Sequence, residues 1–175
     1  MTLVLITGGA RSGKSALAAR IAGRQPAPVT FIATGEAGDE EMAARITRHR
    51  AERPPGWRTL EEPLDLGGAL ATVGDAECAL IDCLSLWLAN CLRDGVDPGE
   101  HVAAQAARRP GLTIAVTNEV GLGIVPATPL GRAYRDALGT LNAAWARAAD
   151  HALLAVAGRV LVLSEADEVV DRIAR

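Results

Sequence analysis

Aromatic residues, paired cysteines and long apolar runs are all scarce in this chain of 175 residues. Phe, Trp and Tyr together make up 3% of the sequence, which leaves few rings for the base-stacking platforms that bind single-stranded nucleic acids. Cys78, Cys83 and Cys91 are odd in number and form no CxxC pair, so we expect reduced core thiols. No uncharged apolar run reaches the roughly eighteen residues of a membrane helix, and the stretch MTLVLITGGARSGKS has no secretory pattern. We therefore expect a cytoplasmic protein without a membrane span.

Negative charge is in slight excess, with a formal net charge of −3, so the chain as a whole does not attract nucleic acid and none is expected as a partner. Positive charge is concentrated in ARITRHRAERP, residues 44–54, where His49 has arginines on both sides. The histidine could be a core residue, part of a solvated basic face, a ligand for an acid or a nucleophile. The arginines of this segment are Arg45, Arg48, Arg50 and Arg53.

Short apolar segments typical of buried strands alternate along the chain with segments of helical periodicity. The clearest strand candidates are residues 2–7, 29–34, 78–84 and 113–118, and residues 152–156 and 160–163 supply one or two more. Helices are predicted over 13–23, from Asp39 to before Pro54, from 85 through Leu92, within 93–112, from Thr128 to about 150, and after a cap at Ser164. Buried parallel strands need no polar alternation. The pattern therefore predicts one doubly wound α/β domain, residues 1–175, with a mostly parallel sheet and helices on both faces.

The strongest local signal is GGARSGKS, residues 8–15, which matches the phosphate-binding pattern G-x-x-x-x-G-K-[ST] between a predicted strand and a predicted helix. Glycines let the backbone wrap a phosphate, and exposed N–H groups at the helix N-terminus supply positive potential. Lys14 would reach the β- and γ-phosphates of a nucleotide, and Ser15 would bind Mg²⁺. A chance glycine turn is the alternative, but the strand, motif and helix in register favour a P-loop NTPase-like fold.

Acidic and amide residues follow two other predicted strands. Asp82 ends a strand at the sheet edge shared with the phosphate loop, where its carboxylate would help to hold the metal, although it could also be a helix N-cap. Asn118 and Glu119 would open onto the same edge, as part of a site or of a turn. No Asn-Lys-x-Asp motif follows a strand, which disfavours a regulatory GTPase. A small-molecule kinase and a nucleotide-binding module without chemistry both stay open.

The predicted helix from Asp39 places Met42, Ile46, His49 and Arg53 on one face, with Arg45 adjacent. This arrangement suits burial of the two apolar residues against the sheet while His49 and the arginines point toward the edge of the site. The surrounding cations disfavour the imidazolium form, so a neutral ring nitrogen is expected. Residue type alone favours a structural or solvated histidine, and the phosphate loop raises the weight of a chemical role without establishing it.

Six segments, taken together and in order, resemble the adenosylcobinamide kinase / adenosylcobinamide-phosphate guanylyltransferase family. The similarity runs from residue 1 to about 158, and TNEVGLGIVP joined to the His-Arg helix is its most specific part. The segments are GGARSGKS, DEEM at 39–42, RITRHRAERP at 45–54, WRTLEEP at 57–63, IDCLSLWLAN at 81–90 and TNEVGLGIVP at 117–126.

The resemblance implies a bifunctional enzyme of cobalamin biosynthesis that uses ATP or GTP to phosphorylate a corrinoid, adenosylcobinamide. It then transfers GMP from GTP to the corrinoid phosphate through a guanylyl-histidine, which corresponds to His49. The family is oligomeric and often trimeric, and Mg²⁺ serves the nucleotide. The nucleotide-binding positions that the resemblance implies are Gly8, Gly9, Ala10, Arg11, Ser12, Gly13, Lys14, Ser15, Ala33, Thr34, Gly35, Arg50, Ala51, Glu52, Arg53, Glu61 and Asp82.

Two segments depart from the pattern of the family. Residues 93–112 form a shorter connection than in many relatives, and the tail after Gly158, RVLVLSEADEVVDRIAR, differs from the usual short lysine-containing ending. The first departure bears on subunit contacts or substrate access, and the second on the last strand. A kinase without the second activity, with His49 in a structural role, is the alternative function.

Overall fold

The computed structural model describes residues 1–99 and 101–174. Strands and helices alternate along the chain, as the sequence predicts. In chain order they are β1 (Thr2–Gly8), α1 (Lys14–Ala22), β2 (Val29–Ala33), α2 (Glu40–Ala51), β3 (Arg58–Glu61), α3 (Leu66–Ala71), β4 (Cys78–Asp82), α4 (Leu84–Asp94), α5 (His101–Arg108), β5 (Leu112–Val116), α6 (Pro129–Ala148), β6 (His151–Val156), β7 (Arg159–Leu163) and α7 (Ala166–Ile173).

The strands form one seven-stranded sheet in the order β3-β2-β4-β5-β1-β6-β7. Every neighbouring pair is parallel except β6 and β7, which form an antiparallel hairpin. Val116 at the end of β5 is level with Ile6 of β1 and Asp82 of β4. The phosphate loop after β1 and the acid at the end of β4 therefore share one edge of the sheet, with β5 between them.

Both faces of the sheet are covered, because side chains of each strand alternate between two apolar clusters. One cluster joins Leu3 and Leu5 of β1 to Trp87 of α4 and Trp145 of α6. The other joins Val4 and Ile6 of the same strand to Ala18 and Ala22 of α1. This is the doubly wound, mostly parallel, P-loop NTPase-like α/β fold that the sequence predicts. The described helices include none that is both long and apolar enough to cross a membrane.

Two helices begin where the sequence predicts, and each has a side-chain cap. The Asp39 side chain accepts a hydrogen bond from the N–H of Met42 at the start of α2, and the Thr128 hydroxyl accepts one from Gly131 at the start of α6. The terminal helix is different, because its N-cap is Glu165 rather than Ser164 and makes no side-chain cap. The predicted strand 78–84 ends earlier, at Asp82, so that α4 begins at Leu84.

Two elements escape the sequence analysis. Strand β3 is short, exposed on most of its length and polar, so it lacks the apolar run on which strand prediction depends. Helix α3 contains Gly67 and Gly68, which lower helix propensity, and it forms because Leu66 and Leu70 are buried in the core while the Asp65 side chain caps its start. The three cysteines are buried and free, as expected.

Candidate active site

The phosphate loop leaves β1 at Gly8 and enters α1 at Lys14. Gly13, the N-cap of α1, has a φ of 97°, a left-handed conformation that favours glycine. The Lys14 side chain is only 8% exposed, and its Nζ donates a hydrogen bond to the carbonyl of Gly9 at 3.0 Å. Burial lowers the pKa of Lys14 from 10.5. The ammonium group thus lies folded back across the loop, where an arriving phosphate would meet it.

A tight turn between β6 and β7 supports the phosphate loop from the far side. Ala157 and Gly158 have φ values of 50° and 74°, and the N–H of Gly158 donates to the carbonyl of Ser12 at 3.0 Å. A Cβ on Gly8 would collide with the carbonyl of Ala155 on β6. The loop therefore packs against backbone from the end of the chain, which holds its shape without a ligand.

The carboxyl group of Asp82 is the buried acid of this edge. Burial raises the pKa of Asp82 above its usual range, and the neighbouring Ser15 hydroxyl opposes that shift. His49, Lys14 and Arg53 are close enough to oppose it as well. Asp82 and Ser15 thus place two oxygen-bearing side chains next to each other at this edge of the sheet.

Helix α2 lies over this edge and carries His49, and none of its residues is fully buried. A cavity of about 550 Å³ lies between the phosphate loop and α2. A second cavity of about 460 Å³ lies between α2 and the ends of β2, β3 and β4. His49 is half-buried and, with Ser15 and Arg45, lines both cavities. The structure thereby brings the histidine, the phosphate loop and Asp82 around one continuous cleft.

The second cavity has an aromatic and cationic wall. The Arg53 guanidinium lies 3.9 Å from the centroid of the Phe31 ring, and its Nη1 donates to the Thr59 hydroxyl at 3.2 Å. Burial lowers the pKa of Arg53, with Arg50 adding to that effect. Arg50 forms an exposed ion pair with Glu61 across the mouth of the cavity.

The opposite wall of the second cavity is apolar. A Cβ on Gly35 would lie 3.2 Å from Leu86 and 3.3 Å from Met42, so glycine allows α2 to approach the end of β2 closely. Ile46 completes this wall beside Met42. The predicted burial of Met42 and Ile46 against the sheet is not complete, because both are half-buried and line the cavity, whereas His49, Arg45, Arg50 and Arg53 do lie at the cavities as expected.

Most, but not all, predicted nucleotide-binding residues line the two cavities. Thr34 is 0% exposed and its hydroxyl is engaged with the backbone of Cys83, so it offers no surface to a nucleotide. Ala51 and Glu52 are exposed at the end of α2 and line neither cavity. Those that do line a cavity are Ala10, Arg11, Ser12, Gly13, Lys14, Ser15, Ala33, Gly35, Arg50, Arg53, Glu61 and Asp82, while Gly8 and Gly9 form the entry of the loop.

Sequence reasoning does not find every cavity residue. Phe31 escapes it because an aromatic residue inside an apolar strand is indistinguishable from core. Glu41 and Arg48 line the cavity beside the phosphate loop. Glu41, Arg45 and Arg48 follow one another at spacings of four and three along α2, so helical periodicity places them on one face. Arg48 belongs to the arginine cluster of the sequence, and Glu41 could have been found from its spacing.

A polar network lies behind β5 at the same edge. The Asn142 side chain accepts from the Thr117 hydroxyl at 2.6 Å and donates to the carbonyl of Asn118 at 2.9 Å. Asn118 in turn donates to the Ser85 hydroxyl at 3.1 Å. The N–H of Glu119 donates to the carbonyl of Gly8 at 3.1 Å. The end of β5 is thus fixed against α4, α6 and the phosphate loop.

Comparison with known proteins gives strong similarity over this whole region. Residues 4–163 match the family model described as cobinamide kinase / cobinamide phosphate guanyltransferase. The chain is 48% identical over 161 residues to the bifunctional adenosylcobalamin biosynthesis protein CobP of Pseudomonas aeruginosa, with 88% of this chain and 92% of that protein covered. It is 38% identical over 175 residues to the bifunctional adenosylcobalamin biosynthesis protein CobU of Escherichia coli K12, with 89% and 96% covered.

Among solved structures, a protein from Pyrococcus horikoshii OT3 has a similar fold, with a TM-score of 0.54 at 11% identity. The match covers 96% of this chain and 89% of that one. At this identity the likeness concerns the fold alone. The family match ends at Leu163, so helix α7 lies beyond it.

Proposed function

The chain belongs to the cobinamide kinase / cobinamide phosphate guanyltransferase family, and on this premise we propose that the cleft between the phosphate loop and α2 carries out both of its reactions. The protein is a bifunctional adenosylcobinamide kinase and adenosylcobinamide-phosphate guanylyltransferase of cobalamin biosynthesis. The observation that supports a shared site is that His49 and Ser15 line both cavities. A nucleotide held by the loop would place its phosphates between them.

In the kinase reaction, the phosphate loop and Lys14 would hold the triphosphate of ATP or GTP. The hydroxyl group of adenosylcobinamide attacks the γ-phosphorus, the bond to the β-phosphate oxygen breaks, and the nucleoside diphosphate leaves with the electron pair. Lys14 neutralises negative charge on the leaving group as the bond breaks. Its position on the Gly9 carbonyl means that it needs only a local movement to contact a phosphate.

In the guanylyltransferase reaction, His49 would act as the nucleophile. A neutral ring nitrogen attacks the α-phosphorus of GTP, a nitrogen–phosphorus bond forms, and pyrophosphate leaves. An oxygen of the corrinoid phosphate then attacks the same phosphorus, and the bond to His49 breaks to give adenosylcobinamide-GDP. Arg45 lines both cavities beside His49, and its guanidinium would stabilise charge on the phosphate.

The donor set at Ser15 and Asp82 fits Mg²⁺. The ion prefers oxygen ligands and is usually held by one or two protein groups together with substrate phosphates and water. When bound, Mg²⁺ would neutralise triphosphate charge and compensate the buried carboxylate of Asp82.

The nucleoside would occupy the second cavity. Arg53 over Phe31 offers a flat cationic surface, and the ion-paired Arg50 and Glu61 offer hydrogen-bonding groups at its mouth. Ala33 and Gly35 leave room beside the base because their side chains are small or absent. For Ala51 and Glu52, at the end of α2, we propose a role of the backbone only.

The wider proposal concerns the enzyme as a whole. Residues 1–175 act as one domain, which the single continuous sheet supports. Adenosylcobinamide and its phosphate are the corrinoid substrates, and a cytoplasmic location gives access to nucleoside triphosphates. A homo-oligomer, as a trimer, is proposed from the family resemblance, so part of the corrinoid site would come from a neighbouring subunit.

Labelling with GTP tests the proposed function directly. The protein is incubated with GTP carrying a radioactive α-phosphate, then denatured, and the retained label is challenged with acid and with base. We expect an acid-labile, base-stable label that is lost in His49→Ala and that chases into product when adenosylcobinamide phosphate is added. Label that survives this substitution would place the nucleophile elsewhere. Kinase activity without label would favour the kinase-only alternative.

A further inference from the structure

Glu119 lies at the sheet edge that carries the phosphate loop and Asp82, between these two features. It follows β5, the strand that separates β1 from β4, and the end of β5 is level with Ile6 and Asp82 on its two neighbours. The N–H of Glu119 donates to the carbonyl of Gly8 at 3.1 Å. The residue is therefore attached through its backbone to the first position of the phosphate loop.

The backbone around Glu119 is held on several sides. The carbonyl of Asn118 accepts from Asn142, the Asn118 side chain donates to Ser85, and the N–H of Thr117 donates to the carbonyl of Ile6 at 2.9 Å. A residue that only made a surface turn would not need these anchors. They fix where the Glu119 side chain emerges relative to the loop.

The Glu119 carboxylate is not committed to a cation. Its Oε1 accepts the N–H of Gly121 at 2.6 Å, and among residues 1–99 and 101–174 the structure gives it no ion pair. Glu41 of α2, which lines the cavity beside the phosphate loop, likewise forms no ion pair among the described residues and is therefore tested beside Glu119. Three other acids of the edge are engaged. Glu61 is paired with Arg50, Glu36 is paired with Arg93, and Asp82 is the proposed metal ligand.

We propose that Glu119 is the general base of the kinase step, a role that rests on the proposed function. The substrate hydroxyl oxygen forms its bond to the γ-phosphorus while the bond to the β-phosphate oxygen breaks. The hydroxyl proton passes to the free Oε2 of Glu119, and the nucleoside diphosphate leaves with the electron pair. Guanylyl transfer needs no such base, because its acceptor is a phosphate oxygen that carries no proton to be removed.

Glu119 is half-buried and lies at the start of an exposed segment. Residues 120–125, which follow Glu119, are exposed, and Leu122 and Ile124 are 84% and 97% exposed. A large acceptor can therefore bring its hydroxyl to Glu119 from the β5 side while the nucleotide occupies the α2 side. The two reactions then use one nucleotide site with different flanking groups, His49 on α2 and Glu119 after β5.

The test compares the two half-reactions in Glu119→Gln, which keeps the shape and the acceptor oxygen for Gly121. We expect kcat for transfer of the γ-phosphoryl group to adenosylcobinamide to fall by about 10²–10⁴-fold. Formation of guanylyl-enzyme from GTP, and its transfer to adenosylcobinamide phosphate, should stay within about twofold of the unaltered protein. Glu168→Gln on α7 is the matched control and should leave both half-reactions unchanged.

Three results would overturn the assignment. If Glu119→Gln keeps normal kinase activity, Glu119 is not the general base. If the substitution lowers both half-reactions equally, the residue has a structural role. If Glu41→Gln loses kinase activity alone while Glu119→Gln is unaffected, the general base is Glu41 of α2. Absence of kinase activity in the unaltered protein, with guanylyl transfer intact, would instead contradict the kinase half of the proposed function.

Discussion

The hydroxyl group of Thr34 forms two hydrogen bonds with the backbone of Cys83, accepting from its N–H at 2.8 Å and donating to its carbonyl at 2.7 Å. Cys83 is the residue directly after Asp82, so this pair ties the end of β2 to the acid at the end of β4. The Thr34 carbonyl also accepts from the Asn90 side chain of α4 at 2.8 Å. Thr34 thus fixes the backbone next to Asp82, and its buried hydroxyl group is not available to a nucleotide.

Thr34→Val is expected to lower the free energy of unfolding by about 1–3 kcal/mol, because it leaves the buried N–H of Cys83 without a partner, whereas the Cys83 carbonyl keeps the N–H of Trp87. Thermal unfolding measures this, and kcat should fall in both half-reactions because Asp82 loses its fixed position. Thr34→Ser keeps the hydroxyl and should restore most of both properties. A valine variant as stable and active as the unaltered protein would show that the pair is dispensable.

Asp82→Asn is expected to stabilise the free protein while removing metal-dependent activity. Burial raises the pKa of Asp82, so the charged form is disfavoured in the fold, and the stability that the protonated form contributes is lost as pH rises toward the raised pKa. At neutral pH the variant should gain about 1 kcal/mol, or roughly 2–4 °C in Tm. The gain should shrink as pH is lowered. A variant that is less stable at neutral pH would contradict this account.

Lys14 is the only lysine in the sequence, so its ammonium group can be observed by itself. Reductive methylation with ¹³C-formaldehyde should label Lys14 and the N-terminal amine, and NMR titration should give Lys14 a pKa below 10.5 because burial lowers it. Binding of a nucleoside triphosphate should raise that pKa, since phosphate charge favours the ammonium form. An unshifted titration in the free protein, or no response to triphosphate, would argue against the phosphate contact.

The substitution Glu61→Gln is expected to weaken GTP binding while leaving the free energy of unfolding nearly unchanged. The Arg50 and Glu61 side chains are 58% and 60% exposed, so loss of their ion pair should change the free energy of unfolding by less than about 1 kcal/mol. Because the pair lies at the mouth of the proposed nucleoside cavity, KM for GTP should rise several-fold. Asp136→Asn, which removes the surface partner of Arg135, is the control and should leave KM unchanged. A large loss of stability in Glu61→Gln would show a structural role instead.

The sequence contains the local parts of the site but not the contacts between distant parts. Residues 8–15, Asp82 and the helical face with His49 are predictable, because each depends on spacing within one short segment. Two contacts join residues from separate elements, so no local pattern predicts them. They are the cation–π contact of Arg53 with Phe31 and the hydrogen bonds of Thr34 with Cys83. Strand β3 also depends on a separate element, because its exposed and polar residues form a strand only by pairing with β2.

The turn at Gly158 has a consequence for biosynthesis of the chain. The phosphate loop is translated long before the hairpin that supports it, since the N–H that donates to the carbonyl of Ser12 comes from Gly158. The strand that carries this turn pairs directly with β1. A nascent polypeptide therefore cannot complete the support of its phosphate loop until the β6–β7 hairpin has been translated, and shortened products that stop before the hairpin should bind nucleotide poorly.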